Sequence, residues 1–162
     1  MRLKVRSAIA QDIDDLSAMI FRSKKSNGYD DVFMNACRAE LRVTETKLAE
    51  WSFWVAEDRS LLGCAAMANG ADDKTGEIHA FFIAPEAKRR GVGRALWETI
   101  RDAARVRGWQ RLTLDADPAA VGFYEAMGFH IIGESPSGSI PGRMIPLMAI
   151  DLTPPDPPNH AG

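Results

Sequence analysis

Two glycines, Gly91 and Gly93, stand among four cations, Lys88, Arg89, Arg90 and Arg94, where an apolar strand gives way to a periodic helix. Backbone N–H groups at a helix start have no partner inside the helix, and the helix dipole favours negative charge there. Glycine lets a ligand come close to that backbone, so residues 88–94 suit a pyrophosphate or similar polyanion. A solvated basic loop with a glycine turn is the competing explanation. Upstream, Glu77 and His79 are two apart on the strand, which points both side chains to one face. An imidazole suits the role of proton acceptor there, and a carboxylate could relay through water. A solvated strand end would also explain Glu77, and a hydrogen-bonded core or surface residue would explain His79. Downstream, Tyr124 carries a hydroxyl that could donate a hydrogen bond. It also falls on a stripe with Ala120, Phe123 and Met127 at helical spacing, for which core packing alone would account.

A dinucleotide fingerprint is the first motif to weigh against this pattern. It needs a third glycine where Leu96 stands, and residues 84–90 separate the strand from the glycines. Asp115 and Asp117 lie at about the spacing of a ribose-binding acid, which keeps a nicotinamide-dependent oxidoreductase as an alternative. The lysine of a Walker loop is missing, since Arg94 follows Gly93.

The elements that must position these residues are read from periodicity and caps. At 162 residues, the chain has the length of one domain able to bury a sizeable core. Residues 3–6 alternate as a first strand. Residues 12–26 form a helix with Asp12, Asp14 and Asp15 in its first turn, and residues 30–47 a second. The apolar runs 52–56 and 61–67 make a hairpin. Residues 77–83 are a strand, and the helix after Gly93 places Val92, Leu96, Ile100, Ala103 and Val106 on one face before Gly108 stops it. Residues 111–115 form a strand, and Asp117-Pro118 opens a short helix. Strands at 129–132 and 144–152 follow, the latter expected at an edge or with a bulge because of Pro146. Residues 153–162, with four prolines, read as a disordered tail.

Composition narrows the function. Hydrophobic content of 46% and charge of 26% are ordinary for a soluble globular protein. A net charge of −2 gives no overall basic field for nucleic acid, so the local cations point to a small anion. Cys37 and Cys64 sit in apolar surroundings and read as core; with three scattered histidines they make no metal site. Two spare thiols fit a reducing cytoplasm. No signal peptide is evident, and no apolar stretch approaches the roughly 18 residues of a membrane span.

Residues 88–93, Lys-Arg-Arg-Gly-Val-Gly, resemble the Arg/Gln-x-x-Gly-x-Gly/Ala motif of the GNAT family of N-acetyltransferases, departing at Lys88. A second block resembles that family's Asn-x-x-Ala-x-x-Phe-Tyr-x-x-x-Gly-Phe. Ala120, Phe123, Tyr124, Gly128 and Phe129 match in register, while Asp117 takes the Asn position. The resemblance covers about residues 1–152 and is strongest over 77–133. It implies an α+β domain over 1–152, with a mixed, mostly antiparallel sheet of six to seven strands flanked by about four helices. It further implies an enzyme moving an acetyl group from acetyl-CoA directly to a primary amine, with no metal.

By the same resemblance, the donor contacts Phe81, Phe82, Ile83, Lys88, Arg89, Arg90, Gly91, Val92, Gly93, Arg94, Asp117, Phe123 and Tyr124. The strand 77–83 splays from its neighbour and frees backbone groups near Phe81–Ile83, one of which polarises the thioester. Tyr124 then acts as general acid toward the departing thiolate, with Glu77, His79 or water as base. The acceptor would approach between the N-terminal helices and the loop at 137–143, where Arg143 could hold an acceptor carboxylate. Small amines or amino acids are preferred as acceptors over protein lysines, because no peptide groove is evident. A non-catalytic acyl-CoA-binding module and a protein N-acetyltransferase remain as alternatives, and a homodimer is left open.

Overall fold

The strand that carries most of the core is built from small residues. Leu62, Cys64, Ala65, Ala66 and Met67 are all buried, as is Gly63 between them. Consecutive strand residues point to opposite faces, so an unbroken buried run means that both faces are covered. The structure is a computed structural model that describes residues 2–152; the expected tail at 153–162 lies outside the described residues.

Twelve elements follow in order: β1 (Lys4–Ser7), α1 (Ile13–Lys25), α2 (Asp31–Leu41), α3 (Glu45–Glu50), β2 (Ser52–Asp58), β3 (Ser60–Asn69), β4 (Thr75–Ile83), α4 (Val92–Val106), β5 (Arg111–Asp115), α5 (Val121–Ala126), β6 (His130–Pro136) and β7 (Met144–Asp151). The small residues of β3 let α1 and α4 pack closely on it. Leu16, Met19 and Ile20 of α1 and Val92, Leu96, Trp97 and Ile100 of α4 supply the buried stripes.

The seven strands form one sheet in the order β1-β2-β3-β4-β5-β7-β6. All ladders are antiparallel except that between β4 and β5. The parallel ladder is short: Thr75 pairs with Arg111, Gly76 with Leu112 and Glu77 with Thr113. Beyond that point β5 stays paired with β7 as far as Asp115–Leu147, while β4 stays paired with β3 as far as Ile83–Gly63. The sheet is therefore split between β4 and β5 from Ile78 onward.

A bulge sits at the root of the split. Ala66 faces Ala80 and Met67 faces Ile78, so His79 is an extra residue in β4 with no partner on β3. An unpaired residue of this kind bends its strand and re-aims the side chains around it.

Two expectations need correction. Residues 30–47 form two helices rather than one. Arg42 leaves helical geometry, the buried Val43 donates its N–H to Ser17 Oγ at 3.0 Å, and Thr44 caps α3 by accepting from Lys47 N at 3.2 Å. The bulge in the ladder of β7 with β6 falls on β6, at Ile132, and β7 lies inside the sheet, not at its edge. Pro146 is tolerated there because its carbonyl accepts from Ala116 N, which places its ring nitrogen on the β5 side, past the end of that strand at Asp115. A hydrogen-bonded antiparallel pair exchanges two bonds, so the proline forgoes only the return bond to the Ala116 carbonyl, beyond the last ladder pair at Asp115–Leu147.

Candidate active site

A cavity of about 690 Å³ fills the split and runs from the glycine loop to the end of α2. That is an ordinary volume for a small-molecule site. Its floor is β4. Ala84 N donates to Leu62 O, so by alternation the backbone groups of Phe82 also face β3. Those of Phe81 and Ile83 face the split, where β5 no longer reaches them.

At one end lies the loop that opens α4. Gly91 is the N-cap of α4 with φ 81°, and Arg89 is also left-handed with φ 66°. Backbone turned this way at a helix start gathers N–H groups into an anion-binding concavity. Glycine at 91 serves that φ, since a Cβ there would meet nothing. Gly93 serves close approach instead: a Cβ would lie 3.1 Å from Phe123 Cζ. The space beside Gly93 is thus occupied by the Phe123 ring.

The four cations do not converge. Lys88 and Arg89 line the cavity, with Lys88 Nζ 3.4 Å from Ser26 Oγ at the end of α1. Arg90 faces a separate recess with Arg2, Asp58 and Arg59, and Arg94 is paired with Glu98 at 3.2 Å. The Val92 side chain is fully buried in the core, so only its backbone is available to a ligand.

Midway along the cavity stands Tyr124, 7% exposed. Its ring meets Phe123 and Phe129 edge-on at 5.4 and 5.7 Å, and Phe81 likewise at 6.2 Å. The expected stripe is split: Tyr124 is buried, whereas Phe123 is exposed beside Gly93. Burial, and after it the charge of Asp117, push the Tyr124 hydroxyl well above its ordinary pKa. The hydroxyl keeps its proton throughout the physiological range and has it to donate. Cys64 is fully buried; desolvation pushes its thiol up to about 12, which suits a core residue and not a nucleophile.

The far end is shaped by Glu77, His79, Trp51 and Glu40. Glu77 Oε2 and His79 Nε2 are 3.9 Å apart, so the two side chains do share a face. The imidazole lies flat on the Trp51 indole, with centroids 4.5 Å apart and planes within 5°. Across the cavity, Ser139 donates its hydroxyl to Glu40, which joins the loop between β6 and β7 to the end of α2.

A network that the sequence did not reveal closes the roof. Asp117 accepts from Lys24, from the Tyr29 hydroxyl at 2.7 Å and from Ala119 N at 2.8 Å. Arg143 then donates to the Tyr29 oxygen at 3.1 Å. Burial alone would push the Asp117 carboxyl up, but these bonds outweigh it and hold the carboxyl below its usual range. Burial and the neighbouring Asp117 raise the Tyr29 hydroxyl. The N-cap role of Asp117 was legible in Asp-Pro. Its partners were not, because Lys24 and Tyr29 lie 93 and 88 residues away.

Sheet order, split and loop define a class: a single-sheet α+β domain with a glycine-bearing basic loop at the head of a cleft between two parted parallel strands. The chain belongs to the GNAT acetyltransferase family, since the model of the acetyltransferase (GNAT) domain matches residues 21–138. It is similar to N-acetyltransferase 8 of Homo sapiens, 29% identical over 79% of this chain and 60% of that protein. It is also similar to the peptidyl-lysine N-acetyltransferase YiaC of Escherichia coli, 34% identical over 56% of this chain and 58% of that protein. The chain thus spans about three fifths of the length of these relatives. Among solved structures, PaiA N-acetyltransferase from Thermoplasma acidophilum in complex with coenzyme A shares the fold, with TM-score 0.77 at 18% identity over 93% of this chain and 99% of that one. No helix among the described residues is long and apolar enough to cross a membrane.

Proposed function

We propose that this chain transfers an acetyl group from acetyl-CoA directly to a primary amine of a small molecule or amino acid. The observation that carries the reading is one cavity that joins the left-handed start of α4, the parted backbone of β4 and the protonated Tyr124. Family membership supports the donor, and the loop at 88–93 has the charge and backbone geometry a pyrophosphate requires.

Bound acetyl-CoA supplies the activated acetyl group. The chain supplies the rest. Backbone N–H groups of Phe81 and Ile83 face the split and can hold a carbonyl oxygen as negative charge develops. Tyr124 donates a hydrogen bond to sulfur. A free thiol titrates near 8.5, well below this phenol, so the donated bond stabilises a thiolate without full transfer of the phenolic proton. Glu77, His79 or a water between them removes the proton of the attacking amine.

Similarity to a peptidyl-lysine N-acetyltransferase favours protein lysine as a second reading. Calorimetric titration with acetyl-CoA, with NAD as control, tests the donor. Micromolar binding of acetyl-CoA and silence with NAD is the expected result; NAD binding without acetyl-CoA binding would overturn the reading. Coenzyme A release with amine, amino-acid and lysyl-peptide panels then separates the acceptors.

A further inference from the structure

We propose that Arg143 is the anchor for a carboxylate on the amine acceptor, so that the substrates of this site are amino acids with apolar side chains. This rests on the acetyl-transfer reading above.

Besides Lys88 and Arg89 at the donor loop, three cations line the cavity: Lys24, Lys47 and Arg143. Two are committed. Lys24 is paired with Asp117. Lys47 donates to the carbonyls of Glu40 and Arg42 at 2.5 and 2.8 Å, closing the end of α2. Arg143 differs. Its one side-chain hydrogen bond goes to a neutral oxygen, the Tyr29 hydroxyl, and among the described residues it has no carboxylate partner. The Tyr29 hydroxyl already donates its hydrogen bond to Asp117, so toward Arg143 it accepts.

The guanidinium is nevertheless held in place. It lies 4.9 Å from the centroid of Phe33 and 5.6 Å from that of Tyr29, and those two rings are themselves stacked at 4.0 Å. Aromatic faces support an arginine without using its hydrogen-bonding edge. The free part of the fork matches a carboxylate in a planar, two-point arrangement that lysine cannot reproduce. Because the side chain is already ordered, little rotamer freedom remains to be lost on binding.

The placement suits an α-amino acid. Arg143 reaches Asp117 through Tyr29, by two hydrogen bonds in series, and Arg143, Asp117 and Tyr124 all line the one cavity. A carboxylate on Arg143 therefore lies in the cavity that also holds the reacting end. Leu41, Val43, Trp51, Phe53 and Ile145 offer apolar surface in the same cavity for the side chain.

The test measures coenzyme A release at saturating acetyl-CoA with three matched series: L-leucine, L-leucinamide and isoamylamine; the same three forms of L-methionine; and the same three of L-phenylalanine. Rates are compared per neutral amine. The amino acids should exceed both analogues in kcat/KM by at least about tenfold, the value of a charge-assisted hydrogen bond. Arg143→Gln should shrink that gap to within about threefold, and Arg143→Lys should restore part of it. Calorimetry with acetyl-CoA on each variant shows that the donor site is intact. Equal rates for acids and analogues in the wild-type protein would overturn the assignment. So would an undiminished gap in Arg143→Gln, or acetyl-CoA binding with transfer to lysyl peptides alone or to none of the series. Loss of acetyl-CoA binding by the wild-type protein would instead overturn the acetyl-transfer reading, and this assignment with it.

Discussion

His79 lies face to face with Trp51, centroids 4.5 Å apart, while its Nε2 is 3.9 Å from Glu77. The stack and the bulge together fix the imidazole at the mouth of the split, beside the carboxylate that shares its face. A single proton acceptor and its positioning partner can be told apart by substitution. If Glu77 takes the amine proton, Glu77→Gln should lower kcat about a hundredfold and His79→Gln only a few-fold. The reverse order would assign the role to His79, and small effects in both would assign it to water.

Tyr124 presents the second test. Replacing it with Phe keeps the ring among Phe81, Phe123 and Phe129 and removes only the donor. The expected result is a kcat lower by about a hundredfold with the acetyl-CoA dissociation constant unchanged. A weakened donor affinity at unchanged kcat would remove the hydroxyl from the chemistry.

Gly91 and Gly93 should fail in different ways. Gly91→Ala forces a Cβ onto a backbone with φ 81° and should destabilise the fold by about 1 kcal/mol, read by denaturant titration. Gly93→Ala places a Cβ 3.1 Å from Phe123 Cζ and should shift that ring, raising the acetyl-CoA dissociation constant with little loss of stability. Identical behaviour of the two variants would contradict the geometry of the loop.

Asp117 makes stability depend on acid pH. Its folded-state pKa lies below the unfolded value of about 3.9, so its bonds to Lys24 and Tyr29 stabilise the protein above roughly pH 4. That contribution is lost as pH falls through the folded value. Asp117→Asn keeps an N-cap acceptor but removes the charge, and should cost about 2 kcal/mol at pH 7. The gap between variant and wild type should narrow as melting is followed from pH 5 to about pH 2. A gap independent of pH would mean that the charge contributes nothing.

The sequence by itself determined the features that depend on neighbours a few residues apart. Strand alternation, the α4 stripe of Val92, Leu96 and Ile100 (though not its expected end at Val106, which is exposed), the Asp117-Pro118 start and the glycine-cation loop are all local, because turn chemistry and side-chain periodicity act over one or two turns. The two motif blocks carried the family for the same reason. Even there the range was short: a single helix over 30–47 was the natural reading until Val43 became buried and Thr44 capped a new start.

Only the tertiary structure decided how far the β4–β5 ladder runs, that His79 is the unpaired residue at its root, and that Pro146 falls on an inner strand. It also decided what each charge faces. Lys24 and Asp117 look like two solvated residues in the chain, yet folding brings them together with Tyr29 across the cavity and leaves Arg143 above two aromatic rings. A charge's function follows from its partners, and partners set 88 or more residues apart are chosen by the packing of the whole sheet.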